Sequence, residues 1–285
     1  MPHRSARGPA PPAGAPLAAV AALAALLVLA TCSRGGGEVA ADPLDAVTLD
    51  VFAAASLTDA FVEIAAQVEQ SAGVDVRLAF AGSQTLRLQL EQGARADLFA
   101  SADRAHVVAL QEAGVVATPL RFASNELALV VPANGNLQLS GLADLADVAR
   151  LVVGTDLVPV GVYTEQLVAN GTAAYGPAWR AGVLAAVVSR EANVRLLRAK
   201  VELGEADAGV VYRSDTIGRE ALRPVPIPAS LNVVVAYYIA EVVGAGRSPV
   251  AGSPVALEAI ICAARTRRST LSPPRSTEVA TTPCS

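Results

Sequence analysis

Between residues 47 and 243 the chain alternates short runs of apolar, often β-branched residues with stretches whose apolar positions recur every three or four residues. The first pattern predicts strands and the second predicts amphipathic helices. Strands are expected over 47–52, 74–80, 97–100, 126–131, 151–154, 184–188, 208–212 and 233–240. Helices are expected over 56–70, where Leu57, Phe61, Ile64 and Val68 share a face, over 83–92, over 102–113 closed by Gly114, and over 193–203 stopped by Gly204. Residues 133–150 read as looser chain. Strands alternating with helices imply βαβ units, hence an α/β fold with mainly parallel sheets flanked by helices, and the strand count suits two sheets rather than one.

The first residues follow another pattern. Arg4 and Arg7 precede an uncharged stretch whose apolar part, 17–30, has the length of a signal-peptide core and is too short to span a bilayer by itself. An exported chain is therefore expected, with 1–31 as signal peptide. Leu29-Ala30-Thr31-Cys32 resembles the lipobox of bacterial lipoproteins, in which the cysteine is lipidated, although Ala or Gly is commoner than Thr31 before that cysteine. On that reading 32–45, with Gly35-Gly36-Gly37, is a flexible linker on an anchored Cys32; the alternative is a soluble secreted protein cut nearby.

Composition narrows the function. At 53% hydrophobic and 17% charged residues the chain is neither disordered nor a coiled coil. The net charge is −4, and the acid excess lies between the termini, since both ends carry more Arg than acid. With Lys200 the only lysine, the body lacks the basic clusters that bind nucleic-acid phosphates. Cys32, Cys262 and Cys284 have no metal or redox spacing. From residue 244 onward prolines and arginines replace aromatics; 255–264 is compatible with a helix, and 261–285 reads as an atypical, disordered tail.

In parallel α/β sheets ligands sit beyond the carboxyl ends of the strands. Two such junctions run through small residues into a serine: Ala53-Ala54-Ala55-Ser56 and Ala81-Gly82-Ser83. Each serine reads either as the N-cap of its own helix or as a ligand group. Two helix starts converging on one point would offer unpaired N–H groups and partial positive charge, an anion site needing no Lys or Arg.

A larger resemblance follows from these residues. The segments 53–61, 80–86 and 93–103, then Val158-Pro159-Val160-Gly161-Val162-Tyr163, Asn193-Val194-Arg195 and 204–212, taken in order, resemble the periplasmic molybdate-binding proteins of ABC transporters over about residues 47–243. The resemblance implies a two-lobed, type II periplasmic binding protein, with lobe 1 from 46–124 plus 231–260, lobe 2 from 125–230, and strands near 124–127 and 229–233 as hinge. It implies that Ser56 and Ser83 give hydroxyl and amide donors, Val160 and Val194 backbone amides, and Tyr212 its phenol, to a molybdate or tungstate ion between the lobes. Val160 stands where the family often has Ala, in a loop one residue shorter than usual. Read without the resemblance, Val194 could be a core valine and Tyr212 a packing residue.

The implied ligand is a proton-free dianion, which suits a donor-only site; sulfate is the alternative oxyanion. The implied partners are an ABC permease and, through Cys32, the outer face of the bacterial cytoplasmic membrane, with a monomeric protein and no cofactor. The competing classes are an enzyme and a surface lipoprotein of other function. Against an enzyme, His106 is the only histidine outside the leader and reads as a solvated helical residue, no nucleophile elbow is present, and Asp97 and Asp103 read as structural caps.

Overall fold

Nine strands and six helices follow one another in a computed structural model that describes residues 48–243 together with 259, 260 and 262. The expectations for 1–31, 32–45 and nearly all of the tail lie outside these residues; Ala259, Ile260 and Cys262 are helical, and Ile260 is buried in the core.

The first half of the chain gives β1 (Thr48–Ala54), α1 (Thr58–Ala72), β2 (Asp75–Ala81), α2 (Ser83–Glu91), β3 (Leu98–Ser101), α3 (Arg104–Glu112) and the long β4 (Leu120–Pro132). The second gives β5 (Leu151–Gly154), α4 (Pro159–Tyr175), α5 (Pro177–Ala186), β6 (Val187–Glu191), α6 (Val194–Glu202), β7 (Ala208–Tyr212), β8 (Leu222–Val225) and β9 (Val234–Glu241). β1 alternates half-buried and buried residues along its first part, whereas β7 is buried throughout, as a strand covered on both faces must be. α1 turns Phe61, Ile64, Ala65 and Val68 inward and ends at Gly73 in the left-handed conformation.

β4 joins two half-sheets. Its first part, from Leu120 to Glu126, pairs antiparallel with β9; from Leu127 onward it pairs antiparallel with β7 on one side and β8 on the other. The order β2-β1-β3-β9-β4 thus continues as β4-β7-β5-β6. The two halves repeat one arrangement: β1 lies between β2 and β3, and β5 between β6 and β7, all four pairings parallel. In each, the chain leaves the middle strand to one side and returns on the other, which opens a crevice at the strands' carboxyl ends. Each half thus keeps the expected parallel strands, and β4 and β9, which join the halves, run antiparallel to their neighbours.

Several elements depart from expectation. β4 begins near 120 rather than 126 because the polar Arg121, Ser124 and Asn125 still pair with β9. The strand expected over 184–188 starts only at Val187, because residues 184–186 form the last turn of α5. α4 and α5 were not legible as helices: α4 buries residues on several sides and carries Gly161 and Gly171 inside, so no single apolar face marks it. Gly171 lies against the Trp179 ring of α5, where an added Cβ would meet ring carbons. Gly161 is packed so closely on the end of β5 that a Cβ would overlap the Thr155 carbonyl oxygen. That approach sets the N-terminus of α4 beside β5.

Candidate oxyanion site

The carboxyl ends of all six parallel strands deliver residues to one small cleft of about 200 Å³, partly open to solvent. Ala54, Ala55 and Ser56 follow β1, Gly82 and Ser83 follow β2, and Ala102 follows β3. From the other half-sheet come Val158, Pro159 and Val160 after β5, Asn193 and Val194 after β6, and Tyr212 at the end of β7. Ser56, Ser83, Val160, Val194 and Tyr212, which lie up to 156 positions apart in sequence, therefore share one lining.

No charged side chain lines the cleft. Its polarity comes from three hydroxyls and from helix starts. The amides of Ser83, Val160 and Val194 occupy the first or second position of α2, α4 and α6, where no carbonyl of the same helix can reach them. Each helix start adds partial positive charge. Pro159 fits the first turn of α4, having no N–H to leave unpaired. Asn193 caps α6, its Oδ1 accepting from the amides of Arg195 at 3.0 Å and Leu196 at 3.1 Å, which leaves the Val194 amide to face the cleft.

The two serines are not helix caps. Ser56 sits inside a 3₁₀ turn, 55–57, whose own N-cap is Ala54, and its buried Oγ has no aligned hydrogen-bond partner, though it lies near the Tyr237 hydroxyl. Ser83 is the first residue of α2 and Gly82 its N-cap. Ser83 Oγ accepts a 3.1 Å hydrogen bond from the Ala102 amide, and that bond leaves its proton free to be donated. Burying a hydroxyl costs free energy unless it is bonded, and beyond the neighbouring Tyr237 hydroxyl the described residues offer Ser56 Oγ no partner.

Tyr212 is 1% exposed and its hydroxyl also lacks a partner. Burial, reinforced by nearby Tyr237, Tyr163, Asp215 and Asp103, pushes its phenol well above the usual range, so it remains a donor at neutral pH. Its ring packs edge-on against Tyr237 at 5.9 Å, and Tyr237 in turn lies 6.3 Å from Phe122. Asn125, at the crossing point of β4, donates to the Tyr237 hydroxyl at 3.2 Å and to Ser214 Oγ at 2.8 Å. Asp215 fixes the backbone end of Tyr212 by accepting from its amide at 3.1 Å. Burial raises the Asp215 carboxyl to about 7, with the Tyr212 amide and Arg198 pulling the other way. Tyr237, Asn125 and Asp215 support the site without lining it, and no motif in the sequence marks them.

Two further sequence readings change. Asp97 is a buried strand clamp rather than a cap, its Oδ2 accepting from the Asp50 amide at 2.8 Å. His106 is not solvated: its side chain is 12% exposed and its Nε2 lies 3.1 Å from the Leu157 carbonyl oxygen. Asp103 caps α3 as expected, accepting from the His106 amide at 3.1 Å. Among the described residues no group of three or more His, Cys, Asp or Glu is placed to hold a metal ion.

A solute cleft between two half-sheets, built from strand-end loops, defines a class of binding protein, and comparison with known proteins gives its family. The chain belongs to the bacterial extracellular solute-binding proteins, whose family pattern matches residues 49–253. The molybdate-binding protein ModA of Mycobacterium tuberculosis is 36% identical over 226 residues, 76% of this chain and 83% of that one. ModA of Escherichia coli is 34% identical over 69% of this chain and 77% of its own. The periplasmic molybdate-binding protein of Azotobacter vinelandii superposes with a TM-score of 0.58 at 18% identity, covering 76% of this chain and 97% of that one, a likeness of fold. The fold is thus the two-lobed type II binding-protein fold that the sequence implied.

Proposed function

We propose that this protein captures molybdate, with tungstate as a chemical equivalent, outside the cytoplasmic membrane and presents it to the permease of an ABC importer. One observation carries the reading: a small cleft whose polar groups are hydroxyls, helix-start amides and the capping Asn193, with no acidic or basic side chain in its lining. Molybdate at neutral pH is a dianion without a proton, so every oxygen accepts. Hydrogen phosphate brings a proton that needs an acceptor, and the lining has no carboxylate to take it. The ModA relatives support the same ligand.

The energetics are sufficient. Hydrogen bonds to an ion contribute about 1.5–3 kcal/mol each, and helix termini add to them in a site shielded from water. Five or so donors can therefore exceed dehydration and reach sub-micromolar affinity, about −8 kcal/mol. The acidic surface does not oppose this, because salt screens charges beyond about 8–10 Å.

In this account Ser56 and Ser83 act from lobe 1, Val160, Val194 and Tyr212 from lobe 2, and the lobes close about β4 near Asn125 and the segment entering β9. Cys32 carries the lipid that holds a monomeric receptor to the membrane. Binding needs no cofactor and no bond is broken. Calorimetric titration with molybdate, tungstate, sulfate and phosphate tests the proposal: sub-micromolar binding of the first two with phosphate at least a thousandfold weaker supports it. Phosphate binding as tight as molybdate would overturn it, and tight sulfate binding alone would reassign the ion.

A further inference from the structure

Beside the oxyanion cleft, three side chains of the first half-sheet's helices reach across to the second. Asp59, in the first turn of α1, places Oδ1 3.2 Å from Arg195 Nη1 and Oδ2 2.9 Å from Arg219 Nη2. Gln84 of α2 donates through Nε2 to the Ala192 carbonyl at 2.8 Å. His106 of α3 meets the Leu157 carbonyl at 3.1 Å. These contacts ring the cleft, for Gln84 adjoins Ser83, Arg195 adjoins Val194, Leu157 adjoins Val158, and Asp59 lies one helical turn past Ser56. The approach is close: a Cβ on Gly82 would lie 2.5 Å from the Ala192 oxygen.

The charged contact differs from the other two. One carboxylate takes a guanidinium on each oxygen, one from α6 and one from the turn that precedes β8. Desolvation would raise the Asp59 pKa, but the hydrogen bonds from Arg195 and Arg219 outweigh it and hold the carboxyl below the usual range. Asp59 remains 57% exposed, so either pair alone contributes little. Both are lost together when the lobes part, because Asp59 sits on one and both arginines on the other. None of the three residues lines the cleft.

We propose that Asp59, bound by Arg195 and Arg219, is a positioning residue that latches the closed cleft and sets the rate at which the oxyanion leaves. The inference rests on the reading that the ion sits in that cleft. A contact present only in the closed form stabilises that form alone. It therefore slows release and leaves capture, which occurs on the open form, nearly unchanged. Because the latch is solvated, salt weakens it.

The test is release of radiolabelled molybdate from the full chain, after dilution into excess unlabelled ion. Asp59→Asn releases about threefold to tenfold faster than wild type, with a capture rate within about twofold, and Asp59→Glu restores most of the retention. Arg195→Gln with Arg219→Gln accelerates release to the same degree, and adding Asp59→Asn to that pair changes nothing more. Raising salt from about 0.05 to 0.5 M speeds release from wild type and not from Asp59→Asn. Release from Asp59→Asn at the wild-type rate, or effects of the Asp and Arg changes that simply add, overturns the latch alone. A wild type that retains none of molybdate, tungstate or sulfate overturns the binding reading and the latch with it.

Discussion

The two half-sheets share a topology and meet the cleft with different chemistry. Strands β1 and β2 end in loops that bring hydroxyls to the lining, those of Ser56 and Ser83, whereas after β5 and β6 a valine stands at each helix start, Val160 and Val194, with only its backbone amide to offer. Tyr212, at the end of β7, is the one side-chain donor on the second side. A hydroxyl donor is removed by changing one residue. A peptide donor is not, and depends on where the helix starts, which Gly161 and the Asn193 cap determine. The first half should therefore be sensitive to side-chain identity and the second to backbone placement.

The largest effect should come from the first half. Ser56→Ala with Ser83→Ala removes two bonds to an ion, each about 1.5–3 kcal/mol, and should weaken molybdate binding at least a hundredfold by calorimetry, while the Ala102 amide that Ser83 no longer accepts costs about 1–3 kcal/mol of stability and leaves the protein folded. An unchanged affinity would break the contrast at its strongest point. On the second side, Val160→Ala or Val194→Ala should cost about 1–2 kcal/mol of stability in denaturant titration, since both side chains are buried, yet leave affinity within about threefold. A large loss of affinity there at constant stability would mean that the valine side chain itself shapes the pocket.

Tyr212→Phe tests the exception. The hydroxyl lacks a partner in the protein, so its removal should lower affinity about tenfold and leave stability equal or slightly higher. The last test is a pH dependence, which reads the support behind Tyr212 and not the ion. Because burial raises the Asp215 carboxyl to about 7, the folded protein holds a proton that the unfolded chain, at the ordinary carboxylate value of 3.8, has already released. Between those values rising pH therefore erodes stability, by at most about 1.4 kcal/mol per pH unit, and above pH ~7 the erosion ends. Asp215→Asn keeps an oxygen for the Tyr212 amide and should flatten the stability profile between pH 5 and 7; an unaltered slope would count against a raised carboxyl.

The same contrast explains what could be read from sequence. β5 and β7 were legible to the residue, because their apolar runs are bounded by Gly154 and by Tyr212-Arg213. The two serine junctions were legible as unusual, but their local role was not. A cap is the commonest use of a serine at a helix start, and only the three-dimensional arrangement reveals that Ser56 caps nothing and that Ser83 answers to Ala102. Val160 and Val194 look like any core valine, because a backbone donor leaves no trace in residue identity. They were identified only through the resemblance. Asn125 and Tyr237 escaped because their contacts join positions as far apart as 112 residues, and Asp215 because a buried carboxylate serving a backbone amide reads in sequence like any surface acid. α4 escaped because a helix buried on several sides has no amphipathic period to read.

The central claim is that neutral donors from both half-sheets enclose one oxyanion. Diffraction from crystals soaked in molybdate, measured on both sides of the molybdenum absorption edge, tests it most directly. The account predicts a single strong anomalous peak within hydrogen-bonding distance of Ser56 Oγ, Ser83 Oγ, the Val160 and Val194 amides and the Tyr212 hydroxyl. A peak held by Arg or Lys side chains elsewhere, or an empty cleft at saturating molybdate, would contradict it.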